Sequence, residues 1–173
     1  MLLRFASNEQ LKEARRAERT AANPYVFHQI LEDAQGADEY TYLLMNVSDR
    51  LALNLYGFRL FTNTDEFCSA LRALNYLEPG EKTTLEISPA RYDWDDFGRR
   101  LAEMLTAVDT RKFMSIVSSA KQSARGRDII GLIYCDNLAN YYTVMRAAEI
   151  RDFSIEYRAT PWAAQRQLLN LAR

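Results

Sequence analysis

The sequence predicts an α+β fold, a single compact domain over residues 1–173 with a helical majority. Most apolar residues recur at spacings of three and four positions, which is typical of amphipathic helices. Roughly three to four short segments instead alternate or are continuously apolar, as strands are. The six glycines and four prolines are scattered singly, so no linker divides the chain. We therefore expect about seven helices around a small mixed sheet of about three to four short strands.

The N-terminal half is expected to be largely helical. A polar, alanine-rich pattern predicts a first helix, loosely docked because it has little apolar area to bury. Asn23 and Pro24 supply a cap and a first-turn proline for the second helix, which ends at Gly36. Asn63 caps a later helix, with Glu66 at the capping-box position. The predicted helices cover residues 8–22, 24–36, 38–56 and 64–77, and a short strand covers residues 58–60.

The C-terminal half alternates between the two kinds of pattern. Two helices in succession follow from stripes of apolar residues at helical spacing. A continuously apolar run then predicts a buried strand, and an alternating run predicts a more exposed one. The predicted order is strand 85–87, helix 94–108, helix 110–124, strand 129–134, helix 138–150, strand 153–158 and a last helix beginning at Thr160–Pro161.

The charge balance and the cysteines limit the cellular location and the classes of partner that we expect for the protein. Lys and Arg number 22 against 23 Asp and Glu, so no global positive field attracts a polyanion. Cys68 and Cys135 have apolar neighbours, which favours two buried thiols over a disulfide or a metal site. The N-terminus has no secretory pattern, and no apolar run approaches the roughly 18 residues of a membrane span. We expect a cytoplasmic protein, with no membrane partner, from a bacterium or a phage.

The clearest cationic segment lies on the predicted helix at residues 110–127. It contains no carboxylate, and its cations fall with serines in one arc opposite the apolar stripe. Cations interleaved with hydroxyls are the groups that contact phosphates, although such a face also simply keeps a helix solvated. The residues of this candidate nucleic-acid-binding face are Arg111, Lys112, Lys121, Arg125 and Arg127.

A second cationic stripe runs along the predicted first helix. Lys12, Arg15, Arg16 and Arg19 occupy positions i, i+3, i+4 and i+7 and therefore share one face. The opposite face is rich in alanine and offers little area for burial. We interpret this helix as a candidate docking element for another protein, with nucleic acid and a plain solvated surface as alternatives.

The turn before the predicted helix at residue 94 combines aromatic and charged residues. Arg91, Tyr92 and Trp94 are of the types that dominate protein interfaces, so this turn is a candidate protein-binding edge. Asp93 and Asp95 have the spacing that holds a divalent metal in some enzymes. Carboxylates in the first turn of a helix also stabilise it without any metal, and that interpretation is preferred.

No catalytic motif for nucleotide, dinucleotide or hydrolase chemistry is present. His28, the single histidine, is interpreted as structural. The leading hypothesis is a non-catalytic regulatory or accessory protein that docks on another protein and needs no cofactor. Outward-facing tyrosines suit either a partner surface or a homodimer. The alternative is a nucleic-acid-binding module using the helix at 110–127. The third hypothesis is a metal-dependent enzyme using the acidic turn at 93–96.

Overall fold

The computed structural model describes residues 24–30, 41–147 and 160–161. Within these ranges the protein has nine strands and two helices. The strands are β1 (Val26–Ile30), β2 (Thr41–Asn46), β3 (Ala52–Phe61), β4 (Glu66–Ser69), β5 (Leu74–Leu77), β6 (Lys82–Glu86), β7 (Ile129–Cys135), β8 (Tyr141–Ala147) and β9 (Thr160–Pro161), and the helices are α1 (Trp94–Met104) and α2 (Thr110–Ala124). The predicted helical majority is therefore wrong, because the described chain is mostly β, with two antiparallel sheets.

The long strand β3 organises the larger sheet. Six strands form this sheet, in the order β4-β3-β7-β8-β9, with β5 also paired to β3. The second half of β3 pairs with β4 and the first half pairs with β5 along the same edge. The opposite edge of β3 pairs with β7. One ten-residue strand thus aligns three neighbours, all of them antiparallel to it.

A smaller sheet of three strands, in the order β1-β2-β6, packs against the larger one. Gly57 of β3 lies at the contact, where a Cβ would come within 2.8 Å of Ile87. The missing side chain lets the two sheets approach closely. An isolated bridge between Ala70 and Ile87 joins their edges. The Tyr134 hydroxyl donates to the Pro24 carbonyl at 3.1 Å and links β7 to the start of β1.

The two helices cover the opposite face of the larger sheet. The Phe58 ring of β3 lies 6.0 Å from that of Phe97 on α1 and 5.2 Å from that of Phe113 on α2, centroid to centroid. Phe67 of β4 stacks on Phe97 at 4.2 Å. All four rings are fully buried. Because aromatic pairs at these distances add to the free energy of burial, this cluster holds the helical layer on the sheet.

Several elements form where the sequence predicts them. The helix at 110–124 is confirmed with the same bounds, and the helix predicted from residue 94 is confirmed as α1. Asp93 caps α1 by accepting from the Asp96 amide at 2.8 Å, and Asp109 caps α2 by accepting from the Lys112 amide at 3.0 Å. The predicted strand at 129–134 is confirmed as β7, and the one at 58–60 lies within β3.

The core helix predicted over 38–56 is wrong, because two strands and a turn occupy its described part. Consecutive residues Leu43, Leu44 and Met45 are all buried, which fits a strand covered on both faces. A side-chain hydrogen-bond network around Asn46 then turns the chain. A continuous apolar run also satisfies the spacing of a helix, and pairing with neighbouring strands decides between the two structures.

The same ambiguity makes the other predicted helices wrong. The described part of 24–36 is strand β1, and 64–77 contains a turn followed by β4 and β5. In the described part of the helix predicted over 138–150, the structure has a turn and β8 instead. Its aromatic and β-branched residues, Tyr141, Tyr142, Thr143 and Val144, suit a strand in a sheet.

Parts of the prediction lie outside the described residues, namely the helix at 8–22, the strand at 153–158 and the last helix beyond residue 161. Thr160–Pro161, predicted to begin that helix, forms β9. The strand predicted at 85–87 overlaps the end of β6. In the ranges that the structure does describe, no helix is long and apolar enough to cross a membrane.

Gly131 of β7 should be intolerant of any side chain. A Cβ at this position would overlap the Phe58 ring, which the surrounding aromatic rings prevent from moving aside. We expect Gly131→Ala to lower the free energy of unfolding by about 2 to 3 kcal/mol through overpacking. Urea denaturation followed by circular dichroism would measure the change.

Gly98→Ala is the matched control, because a Cβ at Gly98 in α1 meets only the Met114 side chain, at 3.4 Å. Replacing a helical glycine by alanine should raise the free energy of unfolding by up to about 1 kcal/mol. Equal effects of the two substitutions would contradict this account of the core.

Candidate functional site

A groove opens at the end of the sheets where β2 turns into β3 and β7 turns into β8. Its volume is about 530 Å³, within the range of sites that hold small ligands or short peptide segments. The β2–β3 turn supplies Asp49, Arg50 and Leu51. The β7–β8 turn supplies Asp136, Asn137, Leu138 and Asn140. The groove therefore combines carboxylate, guanidinium, amide and leucine side chains.

Asp136 builds the β7–β8 turn. Its carboxylate accepts from the amides of Leu138 at 2.8 Å and Asn140 at 3.0 Å, and from the Tyr142 hydroxyl at 3.0 Å. Desolvation acts to raise the pKa of Asp136, but these bonds and one from the Asn140 side chain outweigh it and lower the pKa. With its oxygens occupied in this way, Asp136 serves to hold the shape of the turn.

Asn46 plays the same part in the β2–β3 turn. Its side-chain amide donates to the carbonyls of Arg50 at 2.7 Å and Leu77 at 2.9 Å. Its side-chain oxygen accepts from the Ser48 hydroxyl at 2.6 Å. These bonds fix the backbone that carries Asp49, Arg50 and Leu51. Both walls of the groove are thus rigid turns rather than open loops.

Apolar side chains project into solvent at this end of the molecule. Leu138 is 77% exposed and Leu51 is 38% exposed, and both line the groove. Tyr76 of β5 is 54% exposed and lies in register with Leu53, close to the start of β3. Exposed apolar groups that cluster beside a groove are typical of binding surfaces.

Sequence reasoning missed this site because it assigned Leu138 to a helix. The signal was present in the chain, since Asp136-Asn137 and Asn140 are turn-forming residues between two runs rich in strand formers. Ala139 has a φ of +60°, a conformation that few non-glycine residues adopt. That strained conformation is not readable from the residue type, so the sequence signals a turn here but not its backbone conformation.

The predicted cationic face is found on α2. Phe113, Ile116 and Val117 are buried, while Arg111 and the serines between the cations face solvent. Two of the predicted cations have contacts within the chain: Lys121 forms an ion pair with Asp65, and the Arg127 side chain donates to the Ala124 carbonyl. The three cations of the face with no ion pair to a described residue are Arg111, Lys112 and Arg125.

The predicted protein-binding turn contacts its own chain. The Arg91 guanidinium lies 3.2 Å from the centroid of the Phe61 ring, and Trp94 packs edge-on against Phe67 at 4.9 Å. Tyr92 exchanges backbone hydrogen bonds with Phe67. The structure brings Arg91, Tyr92 and Trp94 together, but these contacts leave only part of each side chain available to a partner.

The acidic turn supports helix α1. Asp93 is its N-cap, and Asp96 forms an ion pair with Arg99. In the part of the chain that the structure describes, no group of three or more histidine, cysteine or acidic side chains is placed to hold a metal ion. Lys12, Arg15, Arg16 and Arg19 lie outside the described residues, so their predicted docking role stays a prediction.

A buried polar cluster lies between the two sheets. His28 of β1 is fully buried, with its ring centroid 6.0 Å from that of Tyr42. Desolvation and, to a smaller extent, the charge of Arg146 lower the pKa of His28 to about 3, against the opposite effect of the Ile130 backbone. Burial also raises the pKa of Cys68 to about 11, so at neutral pH its thiol is protonated and the imidazole is neutral.

His28 should make the protein sensitive to acid. Its pKa is 6.5 in the unfolded chain and about 3 in the fold, so between these values only the unfolded state takes up the proton. Stability therefore falls as pH drops below 6.5. From pH 7.5 to 4.5 this group should remove about 2 to 3 kcal/mol from the free energy of unfolding.

Urea denaturation at both pH values would measure this loss in the natural chain and in His28→Phe, which keeps a ring but cannot titrate. The groups around His28 that titrate or carry charge, Tyr42, Cys68, Arg59 and Arg146, are the same in both proteins. A pH dependence of equal size in the two would show that His28 does not cause it.

The described residues thus offer the end groove, the α2 face and the buried polar cluster as candidate sites. The groove combines rigid walls with exposed leucines, whereas the α2 face is cationic and the cluster is enclosed. No protein-family model matches this chain, and no curated protein or solved structure is detectably similar to it. Its residues, contacts and charges are therefore the basis for a functional proposal.

Proposed function

We propose that this protein is a non-catalytic binding protein of the cytoplasm that docks on a partner protein through the end groove. The observation that carries the proposal is the exposure of Leu138, 77% of whose surface is accessible beside a groove of about 530 Å³. Exposed leucines next to polar groups match the apolar centre and polar rim of protein interfaces. A bacterial or phage accessory role agrees with this activity.

The rigidity of the groove walls supports the same conclusion. The Leu138 turn is held by the Asp136 carboxylate, so its exposure is built into the backbone. A surface that is ordered before binding loses less conformational entropy when a partner arrives. The Leu51 turn is held in the same manner by Asn46. Both leucines are therefore suited to act as fixed anchors.

The polar groups of the groove favour a peptide segment as the occupant. Asn137 and Asn140 carry amide side chains, and Asp49 and Arg50 carry opposite charges. Amides both donate and accept, as a peptide backbone requires of its partner. A short extended segment with one apolar side chain between Leu51 and Leu138 fits this distribution. A second copy of the chain is the competing occupant.

The cytoplasmic location is supported by the cysteines. Cys68 and Cys135 are both buried free thiols. Unpaired buried thiols are typical of reducing compartments.

Leu138→Asp should weaken docking while leaving the fold intact, because the exposed side chain contributes little to the core. Peptides selected on the natural protein from a random displayed library would supply a probe. We expect Leu138→Asp to raise the Kd of the selected peptides at least about tenfold, as for an interface anchor. Fluorescence anisotropy would measure the Kd.

Leu71→Asp is the matched control, since Leu71 is 57% exposed but lies outside the groove lining. It should leave the Kd unchanged. If the selected peptides bind Leu138→Asp as tightly as they bind the natural protein, the end groove is not the docking site. Sedimentation that detects a dimer lost in Leu138→Asp would identify a second copy as the occupant and contradict the proposed peptide segment.

A second candidate function, nucleic-acid binding, is favoured by the carboxylate-free face of α2. Arg111 and Arg125 lie about 21 Å apart along the helix, with exposed hydroxyls between them. Such a face contacts phosphates without reading base sequence.

If Arg111, Lys112 and Arg125 neutralise about three phosphates, affinity for duplex DNA should fall about 40-fold between 50 and 200 mM salt. Arg111→Glu combined with Arg125→Glu should remove most of this dependence, measured by anisotropy with a labelled duplex. Arg72→Glu, at an exposed position outside α2, is the matched control. If the affinity of the double variant for DNA depends on salt as strongly as that of the natural protein, the α2 face is excluded as the DNA-binding surface.

A further inference from the structure

The layer between the two sheets contains polar and charged side chains as well as apolar ones. Arg59 of β3, Ile130 of β7 and Arg146 of β8 form one cross-strand row, and residues paired in this way point to the same face. Gly57, two positions before Arg59, faces Tyr42 and the small sheet. Arg59 and Arg146 therefore belong to the face that looks towards β1 and β2.

His28 reaches the same space from the small sheet. It is fully buried, and neither of its ring nitrogens has a hydrogen-bond partner. The Ile130 backbone acts on the ring, although its geometry does not meet that of a hydrogen bond. A neutral imidazole has one donor and one acceptor, and buried groups of both kinds are nearly always satisfied in native proteins.

Arg146 is the second group without a counterpart. Its Nε is buried and has no hydrogen-bond partner, and its charge acts on His28. Arg59 differs, because its guanidinium pairs with the Asp128 carboxylate at 3.0 Å. No carboxylate of the described chain lies within ion-pair distance of Arg146. A partly buried positive charge thus faces the same layer between the sheets as an imidazole whose nitrogens have no hydrogen-bond partner.

We propose that the space between the sheets at His28 and Arg146 binds a small oxyanion, the carboxylate or phosphate group of a ligand. The guanidinium fork of Arg146 matches two oxygens of such a group. The N–H of the neutral His28 ring supplies a further donor. A metal cation is disfavoured here because Arg146 and Arg59 would repel it. This site is separate from the end groove, so it goes beyond the proposed docking function.

His28 provides a direct reporter, because it is the only histidine in the chain. Its imidazole ¹⁵N resonances need no assignment in a spectrum of the full protein. We would titrate inorganic phosphate and, separately, acetate at constant ionic strength. The expected result is a saturable shift of the His28 resonances and a rise in Tm of roughly 3 °C at a tenfold excess over Kd.

Arg146→Gln should abolish both responses, and Arg146→Lys, which keeps the charge but not the fork, should weaken them at least tenfold. Arg111→Gln removes an exposed cation elsewhere and should respond as the natural protein does. A response to phosphate alone identifies a phosphate ligand, and one to acetate as well identifies a general oxyanion site.

The proposal would be overturned if neither anion at 50 mM shifts the His28 resonances. It would also be overturned if the resonances shift equally in Arg146→Gln and in the natural protein. If Arg146→Gln fails to fold, Arg146→Lys carries the comparison by itself. The docking function is tested by peptide binding at Leu138, so either proposal can fail without the other.

Discussion

The contact between the Phe58 ring and the backbone of Gly131 joins the layers of the protein. Phe58 fills the space that a side chain at residue 131 would need, and its ring meets Phe97 and Phe113 from the helices. Gly57, the residue before it, leaves the opposite face free for the small sheet. The two glycines lie on adjacent strands and act on opposite faces of the larger sheet. Gly131 leaves room for the Phe58 ring, which packs against the helices, and Gly57 lets the small sheet approach closely.

This arrangement explains where binding surfaces are available. The faces of the larger sheet are covered by helices on one side and by the small sheet on the other, so little apolar area remains there. The turns at the end of the sheets escape this packing, and they carry Leu51 and Leu138. Loops held by a rigid scaffold are common places for recognition, because they vary without disturbing the core. The end groove has this character.

In the cluster between the sheets, by contrast, polar groups occupy the interior at a cost to stability. Replacing His28 and Arg146 by apolar residues would suit the surrounding core, yet His28 is fully buried, Arg146 is partly buried, and both have buried nitrogen atoms without hydrogen-bond partners. Polar groups of this kind lower stability unless something satisfies them. Positions where a fold departs from its own packing rules are the ones where function is expected. The unpartnered nitrogens of His28 and Arg146, rather than any motif, distinguish this cluster.

The sequence by itself determined the elements whose signals are local. Capping aspartates and one-sided apolar stripes specify α1 and α2, and a short apolar run rich in β-branched isoleucine favours the strand β7. It also determined the cationic composition of the α2 face. Only the tertiary structure decided β1, β2, β4, β5 and β8, since their apolar runs fit helix and strand alike until strands pair. The groove and the His28–Arg146 pair depend on residues distant in the chain, and long-range pairing alone brings these together.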